Sequence, residues 1–223
     1  ADLIQPLRDH LETLDKDRLG APELRENAER VLKQALFLTR RYDVAIANPP
    51  YMGSKQMNAL LSQFLKKNYP SGKADLMTAF MVRAQELTVP HGTWAMINLP
   101  SWMALKSFED LRQELLGTQR IVSMVHLGRG VFGSDFGTVA FVVDNCPSRS
   151  QRGVYRRLFE QHVDVRSVSA IELLFLDSSH NRFEVPQTDF AAIPGSPIVY
   201  WLSEKMRRSF AVGRPLREVA NLR

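Results

Sequence analysis

Apolar side chains recur at helical spacing along six stretches of the sequence, which therefore predict six helices. In the second stretch Pro22 suits the first position of a helix, where a backbone N–H is not needed. Asp75 precedes the fourth stretch and can cap it by accepting a hydrogen bond from a backbone N–H. The six stretches are residues 2–18, 21–42, 57–69, 76–89, 107–117 and 196–210.

Four short apolar runs predict strands, and the first of them is apolar enough to be a parallel strand buried on both faces. Strands that alternate with helices form α/β layered sheets with parallel strands. The last two runs are joined only by "RGVFGSDFG", a link too short for a parallel crossover. We therefore predict an α/β fold whose last strand is antiparallel. The four runs are residues 42–48, 93–100, 120–128 and 138–145.

The pattern becomes irregular after the fourth strand. Short apolar runs such as "GVYRRLF" and "AIELLFL" alternate with polar turns, and prolines interrupt the chain at three positions. We predict an irregular α+β extension and place the boundary near residues 147–152. This boundary divides the chain into residues 1–146 and residues 147–223, with the predicted sheet in the first part.

Composition and charge narrow the class of protein only a little. No apolar run approaches the roughly 18 residues of a membrane span, and the start of the chain has no signal-peptide pattern. Cys146 is the single cysteine, which excludes a disulfide framework and favours a cytoplasmic location. The five histidines have no metal-ligand spacing, so we predict no metal. A net charge of +5 would suit a nucleic-acid partner, but the basic residues are dispersed.

The string Asn-Pro-Pro-Tyr, residues 48–51, ends the first predicted strand. In open α/β sheets ligands bind beyond the carboxyl ends of the strands. The Asn48 side-chain oxygen and the Pro49 carbonyl can accept both N–H bonds of an amino group on a planar ring. The nitrogen lone pair is then directed at an incoming methyl group, while the face of Tyr51 offers a stacking surface. The motif predicts a methyl-transfer site, and the alternative is a turn that merely terminates the strand.

The motif and its surroundings resemble the amino-group DNA methyltransferases. Residues 75–116 and then 128–145 are similar, in order and spacing, to the later motifs of the gamma-type N6-adenine enzymes. More narrowly, "ANPPYMGSKQMN" and "IPGSPIVYWLSEKMRRSF" resemble the large methyltransferases of the BREX phage-defence systems, of the PglX type. The resemblance implies the later half of a Rossmann-like sheet. It also implies methyl transfer from S-adenosyl-L-methionine to N6 of adenine in double-stranded DNA, alongside other defence-system subunits.

The resemblance also assigns roles to individual residues. Asn48, Pro50 and Phe80 would contact S-adenosylmethionine, although the helical spacing of Phe80 fits core packing equally well. Tyr51 and an aromatic residue of the glycine-rich link would stack on the target base after it has left the duplex. Phe132 matches that aromatic position, and Phe136 is the second candidate. Asp75 is expected to cap its helix rather than to act as a catalytic acid.

The sequence departs from the family pattern before the motif. The family binds its methyl donor through a glycine-rich loop after the first strand and through acidic residues, and neither precedes Asn48 here. We therefore expect a fragment of a larger methyltransferase, inactive by itself and a poor binder of S-adenosylmethionine.

The string "GRGVFG", residues 128–133, matches a dinucleotide-binding pattern, but a predicted strand follows it where that fold needs a helix.

Two other functions stay open at this stage. Protein glutamine methyltransferases and some RNA guanine methyltransferases also use Asn-Pro-Pro-aromatic, because their targets are planar amino groups too. The long segment after residue 145 argues against them, since those enzymes are usually compact. A non-catalytic DNA-binding scaffold subunit that retains the motif is the remaining alternative, and replacement of Asn48 separates it from an enzyme.

Overall fold

The chain divides into two compact units, Ala1–Tyr42 and Asp43–Arg223. The structure, a computed structural model, describes residues 5, 6, 9, 22–132, 136–148, 151–160 and 165–213. Within the first unit, helix α1 spans Pro22–Thr39 and confirms the second predicted helix. Most of the predicted helix over residues 2–18 lies outside the described residues.

The helices of the second unit are α2 Ala59–Asn68, α3 Leu76–Leu87, α4 Glu109–Thr118, α5 Val168–Leu176, α6 Thr188–Ala191 and α7 Glu204–Val212. The first three confirm the helices predicted over residues 57–69, 76–89 and 107–117. Asp75 caps α3 as expected, because its side chain accepts a hydrogen bond from the backbone N–H of Met77. Short 3-10 turns precede α2 and α4 and occupy Ser54–Gln56, Pro100–Met103 and Lys106–Phe108.

The strands are β1 Tyr42–Ala47, β2 Thr88–Asn98, β3 Arg120–Arg129, β4 Gly137–Asp144, β5 Arg152–Arg157 and β6 Arg182–Pro186. They form a six-stranded sheet in the order β1-β2-β4-β3-β5-β6. Strand β4 lies between β2 and β3 and is antiparallel to both, so β2 and β3 run in the same direction. The predicted antiparallel last pair is therefore confirmed. Strand β5 is parallel to β3, and β6 is antiparallel to β5.

The expectation that the first strand is buried on both faces was wrong. Val44 is 58% exposed and Ile46 is 78% exposed. The physical reason is that Val44 and Ile46 lie on the same face of β1, whereas Ala45 and Ala47 on the opposite face pack against the core. Apolar composition alone does not reveal which face of a strand is covered.

Three predictions of local structure need correction. The helix expected over residues 196–210 begins only at Glu204, because the Ser203 side chain caps it by accepting from the backbone N–H of Met206. The apolar run over residues 170–176, expected to be irregular, lies in α5, which Ser167 caps in the same way. The strand expected over residues 93–100 begins earlier, at Thr88, and His91 and Gly92 within it exchange backbone hydrogen bonds with Asn145.

The core lies between one face of the sheet and the helices α3 and α4. Along β2 the buried side chains of Trp94 and Met96 alternate with Ala95 and Ile97, which are partly exposed. The ring of Trp94 meets that of Phe141 edge-on at 5.6 Å between centroids. The other face of β2 therefore remains accessible among the described residues. Further core residues are Met77, Met81, Trp102, Leu111, Leu115, Ile121, Met124, Val139 and Val143.

The residues after 150 continue the same sheet instead of starting a separate core. The ring of Tyr155 on β5 stacks on Tyr200 with 5.2 Å between centroids, and Phe190 meets Tyr155 edge-on. Gln187 accepts a hydrogen bond from the backbone N–H of Ile121 and donates to the carbonyl of Gln119. The proposed division at residues 147–152 stays a prediction. None of the described helices has the length and apolar character needed to cross a membrane.

Candidate active site

The Asn-Pro-Pro-Tyr motif follows β1 directly, as the sequence predicts. Neither proline has an N–H with which to continue a strand ladder, so the chain leaves the sheet at this point. Asn48 is exposed, while the adjoining Pro49 is buried. The motif opens into a cleft of about 410 Å³. This cleft is lined by Asn48, Pro49, Pro50, Tyr51, Phe132 and Phe136.

The Tyr51 hydroxyl ties the motif to the end of β2. Its oxygen lies 3.0 Å from the Ile97 carbonyl oxygen and 3.3 Å from Oδ1 of Asn48. A hydroxyl has a single proton to donate, and the Ile97 carbonyl is the closer acceptor. Oδ1 of Asn48 therefore keeps accepting capacity toward the cleft. Burial raises the pKa of Tyr51 above its ordinary value, so the hydroxyl remains a donor at neutral pH.

Asp75 fastens the loop after the motif to the start of α3. Its Oδ1 accepts hydrogen bonds from the backbone N–H groups of Met52 and Met77, at 3.1 and 3.0 Å. The carbonyl of Met52 in turn accepts from the N–H of Leu76 at 2.9 Å. The motif is thus held between β1 on one side and the first turn of α3 on the other. The expectation of a helix cap is confirmed, and the bond to Met52 was not anticipated.

Replacing Asp75 by alanine should destabilise the protein more than loss of an ordinary helix cap. The change leaves two backbone N–H groups without their acceptor, and we expect a loss of about 2 kcal/mol. Asn58→Ala is the matched control, because Asn58 caps α2 through the single N–H of Leu61, and we expect a loss of about 1 kcal/mol. Urea denaturation measures both values, and equal losses would show that the Met52 bond contributes nothing.

The two phenylalanines of the glycine-rich link both reach the cleft. Phe132 is 51% exposed and Phe136 is 48% exposed, and both rings line the cavity beside Tyr51. The ring of Phe136 meets that of Tyr51 edge-on, with 6.0 Å between the centroids and an interplanar angle of 86°. The structure therefore brings both candidate stacking residues to the Asn-Pro-Pro-Tyr motif, and the choice between them stays a prediction.

Phe80 occupies the outer face of α3 and does not line this cleft. Its ring is 39% exposed, while Met77 and Met81 on the same helix are buried. Core packing, the alternative left open by its helical spacing, is therefore not its role here. The contact of Phe80 with S-adenosylmethionine stays a prediction.

Asn48 also borders a second cavity on the accessible face of the sheet. This apolar groove has a volume of about 540 Å³ and shares Asn48 with the cleft. Within the described ranges, no group of three His, Cys, Asp or Glu side chains converges where it could hold a metal ion. The groove is lined in part by Ile46, Ala95, Ile97, Val125, Val142 and Phe175.

The sequence matches the Eco57I restriction-modification methylases over residues 5–132, which is more than half of the chain. The chain belongs to the Eco57I restriction-modification methylase family. This membership confirms the resemblance drawn from the motifs around residues 48–51. A chain of a type I restriction–modification system shares the fold, with a TM-score of 0.54 at 15% identity over 81% of this chain and 41% of that chain. The predicted α/β fold class is thereby confirmed.

Two curated relatives of this Eco57I-family chain align over most of its length. It is 39% identical over 184 residues to the adenine-specific methyltransferase BrxX of Escherichia coli O9:H4 (strain HS). It is 40% identical over 177 residues to the adenine-specific methyltransferase PglX of Lacticaseibacillus casei (strain Zhang). These alignments cover 80% and 75% of this chain, but the chain spans only 15% and 14% of the length of the two relatives.

Proposed function

We propose that the chain forms the target-base side of the active site in an adenine-specific DNA methyltransferase. The reaction transfers a methyl group from S-adenosylmethionine to the N6 amino group of adenine in double-stranded DNA. The observation that carries the proposal is the exposed Asn48, placed at the end of a strand in a cleft with Tyr51, Phe132 and Phe136. The family membership and the names of the two relatives support the same reaction.

Two oxygens of the motif would orient the amino group. N6 of adenine is a poor nucleophile, because its lone pair is delocalised into the ring. Oδ1 of Asn48 and the carbonyl oxygen of Pro49 would each accept one N–H, which directs the lone pair out of the ring plane. Positioning and fixed dipoles supply the rate gain here, without a general base of shifted pKa. The bond between the methyl carbon and the sulfonium sulfur would break as the new bond to N6 forms, which leaves a neutral thioether. The nitrogen, positively charged after the transfer, would then release one of these two held protons to water.

Aromatic rings of the cleft would hold the adenine. An enzyme that acts on a base must take that base out of the duplex, at a cost of a few kcal/mol. Stacking on an aromatic side chain returns about 1 to 3 kcal/mol per base. Tyr51 lies beside Asn48 and would carry one face of the ring. The ring of Phe132, in the glycine-rich link, would also stack on the adenine. Phe136, whose ring is edge-on to that of Tyr51, is the second candidate for this contact.

Phe80, Asn48 and Pro50 are the residues of this chain that would hold the cofactor. They suit that role because the ring of Phe80 is exposed and because Asn48 and Pro50 are exposed at the end of β1. When bound, S-adenosylmethionine supplies an electrophilic methyl group. Phe80 would offer its ring to the adenine of the cofactor, and Asn48 and Pro50 would border the position where the methyl group meets N6.

The setting of the reaction is also a proposal, because the relatives are far longer than this chain. We place the chain in a large cytoplasmic enzyme of a restriction–modification or phage-defence system, where other subunits of the system would be its partners. Its similarity to BrxX and PglX favours phage defence of the BREX type. The part of such an enzyme that recognises a DNA sequence is not assigned to any described residue.

Nucleoside mass spectrometry tests the proposal. Genomic DNA is prepared from cells that express the full-length protein and from cells that carry an empty vector. N6-methyladenine that appears only with the protein supports the proposal. N4-methylcytosine would keep the mechanism and correct the base. If DNA contains no modified nucleoside, the nucleosides of RNA and the glutamine side chains of protein are analysed by mass spectrometry instead. Methylation of either would indicate one of the other amino-group methyltransferases, and its absence from both would indicate a non-catalytic scaffold.

A further inference from the structure

The end of β3 and the loop after it are approached very closely by a segment from the later part of the chain. Gly128 and Gly130 both have positive φ angles, 75° and 109°. A Cβ on Gly130 would lie 2.1 Å from the carbonyl oxygen of Arg166, and one on Gly128 would lie 2.8 Å from the Arg166 guanidinium. Gly130 is therefore required by the contact with the Arg166 backbone, and Gly128 by the Phe159 ring, whose Cδ1 lies 2.8 Å from the Cβ position, in addition to the backbone conformation. The glycine-rich string has a local structural purpose that the sequence did not reveal.

Arg166 binds this loop through both its backbone and its side chain. Its Nη2 donates to the carbonyl of Leu127 at 2.9 Å, and its backbone N–H donates to the carbonyl of Arg129 at 3.4 Å. Val165, the preceding residue, forms a parallel bridge with Arg129. The last residues of β3 are thus fixed from outside the β3–β4 pair, immediately before the chain reaches Phe132.

Phe159 fixes the Arg166 side chain in turn. The guanidinium carbon of Arg166 lies 5.9 Å from the centroid of the Phe159 ring, a distance at which a cation and an aromatic face attract. Phe159 is buried, and its ring meets that of His126 on β3 edge-on at 5.0 Å. Arg166 therefore connects a packed aromatic residue to the base of an exposed loop, which restricts the geometry that the loop can adopt.

We propose that Arg166 is a positioning residue for target-base binding, because it fixes the origin of the loop that carries Phe132 and Phe136. That Arg166 fixes the loop is independent of the proposed function. Its effect on base binding rests on the proposed function, since the rings of Phe132 and Phe136 matter for catalysis only if a base enters the cleft. Arg166 does not touch the base itself. It acts through Leu127 and Arg129, whose carbonyl groups it holds. Residues of the predicted extension thereby shape a site that the sequence placed wholly before residue 146.

Hydrogen–deuterium exchange and methylation kinetics of the full-length protein test this proposal. Arg166→Met keeps most of the apolar stem and removes the donors, whereas Arg166→Lys retains a charge and a single donor nitrogen. Gly130→Ala is an independent variant that forces the two segments apart and leaves the guanidinium intact. Arg152→Met is the matched control, because Arg152 lies on β5 and donates to the carbonyl of Glu184, far along the chain from the loop.

Loss of a charged hydrogen bond should accelerate exchange of the amides of residues 127–132 about tenfold or more in Arg166→Met. Exchange at residues 127–132 should be accelerated as much in Gly130→Ala, accelerated less in Arg166→Lys, and unchanged in Arg152→Met. The exchange rates of the amides of β2 and β4 should be unchanged in all four variants. For an active enzyme, Arg166→Met should raise the KM for DNA about tenfold and leave the KM for S-adenosylmethionine unchanged.

Two results would overturn the proposal. Unchanged exchange at residues 127–132 in both Arg166→Met and Gly130→Ala would show that Arg166 does not fix the loop. Faster exchange with unaltered kinetics for DNA would show that loop geometry has no bearing on base binding. If Arg166→Met unfolds throughout, Arg166→Lys decides, because Gly130→Ala also strains the backbone of the measured segment. If the wild-type protein methylates no DNA, the proposed function fails, and exchange at residues 127–132 still decides whether Arg166 fixes the loop.

Discussion

Replacing Asn48 by alanine should lower the rate of methyl transfer by about a hundredfold to a thousandfold, the usual effect of removing one preorganised polar group from an active site. Oδ1 of Asn48 would no longer hold one N–H of the target amino group, so the lone pair would return to conjugation with the ring. The loss should appear in kcat, because the contact gains strength as the nitrogen changes geometry. DNA binding should change little, since most of the contacts to a duplex are made to its backbone.

Folding should be unaffected by this change. The Asn48 side chain is exposed, and its contact to the Tyr51 hydroxyl is long at 3.3 Å. Asn68→Ala is the matched control, because Asn68 is an exposed asparagine whose amide donates only to the local carbonyl of Phe64. Steady-state methylation with radiolabelled S-adenosylmethionine measures both variants. Wild-type kcat in Asn48→Ala would refute the proposed catalytic role, and the same loss in Asn68→Ala would indicate a general defect instead.

Local features of the sequence predicted the elements that build the site. Helical spacing and short apolar runs identified α1 to α4 and β1 to β4, because their periodicity depends on neighbouring residues only. The two prolines after β1 predicted where the strand ends, and Asp75 predicted the start of α3. The antiparallel pairing of β3 and β4 followed from the short link between them. Each of these inferences uses chain geometry within a few residues.

Features that depend on distant residues were not predictable in this way. The exposure of Val44 and Ile46 depends on which face of the sheet is covered by the core, and apolar composition does not encode that. The pairing of β5 with β3 joins segments separated by a full strand and two links. The close approach of Arg166 to Gly130 is likewise a long-range contact. Glycines at residues 128 and 130 were a detectable signal, but nothing nearby in sequence identifies the residue that they accommodate.

Arg112 makes a further long-range contact that should be important for stability. It lies on α4 with a side chain that is almost entirely buried, and it donates to three backbone carbonyl groups. Nε and Nη2 both reach the carbonyl of Gly195, at 3.0 and 2.7 Å, while Nη1 reaches those of Trp102 and Leu105. Burial lowers the pKa of Arg112, and the nearby Glu109 opposes this shift. One guanidinium thus joins the helical layer to the chain near residue 195.

Replacing Arg112 by methionine should lower the free energy of unfolding by about 3 to 5 kcal/mol, because the change leaves buried carbonyl groups without donors. That is a large fraction of the about 5 to 15 kcal/mol that stabilises a typical domain. Arg112→Lys should recover only part of the loss, since an ammonium group lacks the planar fork that reaches all three carbonyls. The expected order of stability is therefore wild type, then lysine, then methionine.

Urea denaturation followed by tryptophan fluorescence measures these losses directly, because Trp94 and Trp102 are fully buried and become exposed on unfolding. Arg182→Met is the matched control: Arg182 is exposed and pairs with Glu184 on the same strand, so its loss should cost less than about 1 kcal/mol. A midpoint for Arg112→Met equal to that of Arg182→Met would mean that water replaces the lost donors. The connection from α4 to Gly195 would then not be what holds the later segment against the sheet.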